Sequence, residues 1–187
     1  MFQHTAAAVS RKPPPMIPRY APQRPLPPYS YVPGMHAHPI SHPAGHSYQI
    51  PPPPSAAVAD LRACETFSYA IDLFNRGFYW EAHEAWETVW NELGRTGETA
   101  DAIKGLIKLA AAGVKAREAT PLGVARHAAR ALELLSIDSA ADLPINLDEV
   151  RQLAGEIAAR PTDFLNPAQA PCVRIFAVPI QIVERRK

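Results

Sequence analysis

His83 and Glu87 stand four residues apart in the segment Phe78–Trp90, which also holds all three tryptophans of the chain. If that segment is helical, an imidazole and a carboxylate project one turn apart from the same face and offer two ligands to a divalent metal such as zinc, iron or manganese. Two ligands do not complete a site. Glu84 is the nearest further donor and is alternatively a general base, while His127, His36 and His38 are candidates for ligands brought in from elsewhere. The second histidine of the His-Glu-x-x-His proteases is missing here, so their mechanism does not transfer. A plainer chemistry is also open, in which His83 hydrogen-bonds Glu87 or a backbone carbonyl and braces helices at the edge of the core. With Phe78, Ala82, Ala85, Trp86, Val89 and Leu93 filling one apolar arc, His83 and Glu87 fall just beside it. Tyr79 and Trp90 lie on the same side and are candidate pocket walls, with His127 as a third.

These residues need a scaffold, and the apolar spacing predicts an all-α antiparallel bundle of about five helices. A first helix, capped by Ser55 or Asp60, turns Leu61, Cys64, Phe67, Ile71 and Phe74 inward and ends at Asn75-Arg76-Gly77. The second runs from about Tyr79 to Leu93 and breaks at Gly94-Arg95-Thr96-Gly97. The third, about Glu98 to Glu118, is thin along Gly105, Ala110–Gly113 and Ala116, so a neighbour can approach closely. Its Lys104, Lys108, Lys115 and Arg117 read as an exposed side. Leu122–Leu135, opened by Pro121, and Asp148–Ala159, stopped by Pro161, complete the bundle. The final Cys172–Val178 is β-branched enough for a strand, or drapes over the helices, giving a short irregular or strand-like C-terminal tail.

The pattern His83-x-x-x-Glu87-x-x-Trp90, preceded by Gly77-Phe78-Tyr79-x-Glu81-Ala82 and followed by Lys104-Gly-Leu-Ile-Lys-Leu-Ala-Ala-Ala112, resembles the bacterial and archaeal family called domain of unknown function 309. The resemblance runs from about Cys64 to Leu135, and Leu26–Gly34, His38-Pro39 and Gly45–Tyr48 look like a Pro-rich leader that some members carry. It implies a small all-helical bundle and no particular reaction. A non-enzymatic interaction module therefore stands beside metal-dependent hydrolysis and metal binding. Phe78–Ala82 resembles the start of the second helix in a tetratricopeptide hairpin, without the repeat that an array requires.

Composition divides the chain into a Pro-rich arm (1–54), a helical domain (55–160) and a C-terminal extension (161–187). The arm holds 15 of the 21 prolines, four basic residues and no Asp or Glu, against 15 basic and 18 acidic residues in the remainder. Its prolines forbid helix and favour extended backbone. Residues 1–24 are expected to be a disordered tail, and residues 26–48 to touch the bundle through Tyr29, Tyr31 and His38 if they order. No basic stripe marks the helical part, so a small molecule or protein suits this chain as a partner better than nucleic acid. Cys64 and Cys172 make neither a disulfide framework nor a zinc motif, and no apolar run approaches the roughly 18 residues of a membrane helix. The expected location is cytoplasmic.

Overall fold

The computed structural model describes residues 17–51, 58–136 and 143–183. Among the described residues five helices carry the fold, α1 (Glu65–Asn75), α2 (Tyr79–Glu92), α3 (Glu98–Arg117), α4 (Pro121–Leu135) and α5 (Leu147–Ala159), followed by a 3₁₀ turn at Pro161–Phe164. α1 pairs with α2, α3 packs on both α2 and α4, and α5 closes against α4. The expected helical bundle is what forms.

The joints follow from local chemistry. Asp60 Oδ1 accepts the Arg62 amide at 2.9 Å, and Ala63 and Cys64 donate to the carbonyls of Asp60 and Leu61. That turn consumes the residues expected to open the first helix, which instead begins at Glu65 without a side-chain cap; Ser55 lies outside the described residues. At the other end Phe78 N–H reaches the Leu73 carbonyl and Gly77 N–H the Phe74 carbonyl, each at 3.0 Å, a paired closure that needs a left-handed residue. Gly77 supplies it at φ 90°, and a Cβ there would also strike the Val173 carbonyl. The tight turn obliges α1 and α2 to run antiparallel.

α3 is the central element because it is thin. A Cβ on Gly113 would lie 2.4 Å from the Tyr79 ring, and one on Gly105 would lie 2.7 Å from Leu135. Phe67, Phe74, Ala82, Trp86, Val89, Ile103 and Leu106 fill the space between α1, α2 and α3 with at most 1% of each exposed. Of the apolar arc expected of α2, Phe78, Ala82, Trp86 and Val89 enter the core, whereas Ala85 and Leu93 are half-buried at its edge.

The flanking segments pack on the outside of the bundle. Residues 17–24, expected in a disordered tail, are held by Asp72, which is fully buried on α1. Its carboxylate accepts Arg19 Nε and the amides of Tyr20 and Ala21, all at 2.9 Å. Residues 1–16 lie outside the described residues. Further along, Tyr31 and His38 meet Trp80 edge-on, at ring centroid distances of 5.3 and 5.5 Å. Tyr29 turns instead onto His36 and His46 within the arm. No regular secondary structure occurs in residues 17–51, as proline density dictates.

The C-terminal segment takes the irregular alternative. Ile175 and Phe176 donate their amides to the Tyr79 hydroxyl, at 2.8 and 3.2 Å, and Asn75 both donates to and accepts from the backbone of Ile180. With its amides taken by side chains the segment has no ladder to join, and an isolated antiparallel bridge, Ile145 with Ile182, is the sole β pairing among the described residues. Arg117 also departs from expectation. It is 1% exposed, and its Nη2 donates to the carbonyls of Ala168 and Ala170 at 2.7 and 3.2 Å, so it anchors this extension, while Lys104, Lys108 and Lys115, expected on an exposed side, are half-buried.

Trp86→Ala is expected to cost about 3–5 kcal/mol, because the indole is wholly enclosed. Chemical denaturation followed by circular dichroism measures it, and a loss below about 1 kcal/mol would contradict the core assignment. Asp72→Ala removes the acceptor for Arg19, Tyr20 and Ala21. Limited proteolysis should then cut near residue 20 well before the helices are attacked, whereas the unaltered chain resists at that position.

Candidate functional site on the second helix

α2 presents three faces. The first is the core arc. The second carries His83, Glu84 and Glu87, from which one nitrogen or oxygen each can be chosen so that all lie within 4.8 Å of one another. His83 Nδ1 is 3.3 Å from Glu84 Oε1 but lacks hydrogen-bond alignment, and this buried nitrogen has no hydrogen-bond partner. A helix delivers this grouping automatically, since residues i, i+1 and i+4 sit on adjoining sides of one turn. All three residues are half-buried. Among the described residues this is the one cluster of three or more His, Cys, Asp or Glu side chains with such spacing.

The other expected participants are placed differently. Trp90 is half-buried one turn beyond Glu87, with Lys104 Nζ and the Arg95 guanidinium each 5.6 Å from its ring centroid and its Nε1 unpartnered. Tyr79 is 1% exposed in the core with its hydroxyl committed to the C-terminal segment, and burial pushes its pKa up to about 12. His127 on α4 is outside the three-residue cluster. Burial holds its pKa below the ordinary histidine value, assisted by the positive charge of Lys108, Lys115 and His83 and opposed by Glu118. His38 does not turn to α2 as a donor; its Nδ1 faces the amides of Ile40 and Ser41 at 3.3 Å while its ring packs on Trp80. His36 stacks on Tyr29.

The third face of α2 borders a cavity of about 670 Å³ between the helices and the arm. Trp80, Glu81, Glu84, Ala85 and Thr88 line it from α2, and Thr66, Tyr69 and Leu73 from α1. The arm contributes a largely apolar wall, including Pro25–Pro28, Ile40 and Ile50, together with His46. Glu84 borders both the cavity and the His83 cluster. Glu81 was not singled out from the sequence, yet it is only 6% exposed, with Oε1 accepting the Tyr31 amide at 2.8 Å and lying 3.3 Å from His46 Nε2. The hint available was the chain's uneven distribution of charge: an arm without acids can find a carboxylate partner for its amides and histidines only on the rest of the chain.

Residues 67–127, spanning α1 to the middle of α4 and the whole His83 cluster, match a protein family. The family is described as a domain of unknown function, DUF309, and these residues are similar to it. No curated protein and no solved structure matches the chain. No described helix is long and apolar enough to cross a membrane.

The lowered pKa of His127 fixes the sign of one pH effect. Because the folded state disfavours its protonation, the associated stability is present above the unfolded value of 6.5 and is lost as pH falls through it towards the folded value. Denaturation measured between about pH 7 and pH 5 should show a shallower loss for His127→Gln than for the unaltered chain.

Proposed function

We propose that the domain binds a divalent metal, zinc, iron or manganese, through His83, Glu84 and Glu87, and uses it to activate water for hydrolysis. The supporting observation is the convergence of one imidazole and two carboxylates within 4.8 Å on a single helix. One nitrogen and two oxygens form a donor set that suits each of these ions. With three protein ligands such an ion would keep a position for water, and the chemistry it would supply is a lowering of that water's pKa. His83 Nδ1 supports the reading further, since this buried nitrogen makes no hydrogen bond and its near neighbour is the Glu84 carboxylate at 3.3 Å, another donor of the proposed set. With Glu84 as a ligand it is not free as a general base, and the adjoining cavity offers room for a substrate next to the open position.

Elemental analysis of purified, untagged protein tests this. One equivalent of metal per chain is expected, absent from His83→Ala and Glu87→Ala variants that keep their helical circular dichroism. A metal-free chain that also fails to take up added zinc, iron or manganese, together with destabilised variants, would leave His83 and Glu87 as a structural brace.

A further inference from the structure

We propose that the cavity between the arm and the α1–α2 hairpin is a binding site for a small organic cation, an amine on an apolar or aromatic body, with Glu81 receiving the ammonium. The site does not depend on the metal reading, since Glu81 is not among the three clustered residues.

Volume and lining give the first support. At about 670 Å³ the space falls within the range of small-molecule pockets, and its walls combine prolines and aliphatics with the rings of Tyr69 and Trp80. Glu81 gives the second. Its side chain is more than nine-tenths enclosed, and Oε2 is buried without any hydrogen-bond partner. A carboxylate so enclosed is costly unless its lone pairs are filled, and here one oxygen meets a single amide and an imidazole while the other meets nothing. Among the described residues no lysine or arginine lies within ion-pairing distance of Glu81.

Of the two basic side chains that line the cavity, His46 approaches Glu81 Oε1 alone, at 3.3 Å, and Arg24 is otherwise engaged. Arg24 lies 3.9 Å above the Tyr69 ring and 3.9 Å from Glu65, away from Glu81. A primary ammonium supplies what Oε2 lacks, a donor, together with a permanent positive charge, and it is small enough to sit beside an indole. An anionic ligand with the same body would meet Glu81 and Glu84 as like charges, so the acid end of the cavity selects against it.

The test uses the full chain in metal-free buffer, with phenethylamine and the near-isosteric phenylpropionate as probes in calorimetric titrations. Phenethylamine should bind saturably at one site, about tenfold or more tightly than phenylpropionate, and Glu81→Gln should erase that preference. Because Glu81 also holds Tyr31, the variant can loosen the arm. Ala85→Trp fills the cavity while leaving Glu81 in place, and it should abolish amine binding with the helical signal retained. Equal affinities for the two probes, absence of saturable amine binding, or binding unchanged by Ala85→Trp would each overturn the proposal. Amine binding that survives His83→Ala supports it and separates it from the fate of the metal site.

Discussion

Backbone that forms no helix or sheet must still find partners for its N–H and C=O groups wherever it is buried, and this requirement shapes the outside of the bundle. The helices meet it with side chains. Asp72, Asn75, Tyr79, Glu81 and Arg117, each nearly or fully enclosed, direct their polar atoms onto the main chain of the two flanking segments. Four of the five come from the α1–α2 hairpin, so the Gly77 turn that fixes the hairpin also fixes the positions at which both flanks attach. Removing Asp72, Asn75 or Tyr79 leaves a buried amide, that of Ala21, Ile180 or Phe176, without its acceptor, at a typical cost of about 1–3 kcal/mol.

The same arrangement creates the cavity. Asp72 holds the arm at residues 19–21 and Glu81 holds it at Tyr31 and His46, and between these attachments Pro25–Pro28 arches over α1 and α2. An arm of ordinary composition would collapse into the gap, whereas consecutive prolines resist bending and keep the arch extended. The neighbouring turn of α2 carries His83, Glu84 and Glu87, so candidate metal donors and cavity share a wall at Glu84. The two proposed roles, a metal with its activated water and a receptor for an amine, are adjacent without sharing their defining residue.

The helices were legible in the sequence because their period is strong and their ends are chemically marked. α2 begins at Tyr79 and α3 at Glu98 as expected; Gly77 and Gly94 bound the first and Gly97 precedes the second, all at positive φ. The grouping of His83 with Glu87 was legible for the same reason, being a property of one helix. What involved contacts between distant segments was not. Asp72 and Glu81 look like solvated positions on amphipathic helices, and only the path of the arm makes them interior. Tyr79 was expected beside His83, yet the glycine at 113 leaves a recess that takes its ring into the core. Arg117 shares the spacing of the half-buried lysines on α3 and is distinguished by the extension that covers it.

Anchors that grip main chain discriminate between residues in only one respect, the presence of an amide hydrogen, and this explains where the prolines of the arm fall. Tyr20, Ala21, Ser30 and Tyr31 all give their N–H groups to partners elsewhere in the chain, and none of these positions is proline although prolines surround them at 18, 22, 25, 27, 28 and 33. Pro18 and Pro25 contribute carbonyls alone, to Arg76 and to the Tyr69 hydroxyl. The arm can therefore be stiffened almost anywhere along its length except at these few docking points, and its irregular spacing of prolines is the imprint of the helices beneath it.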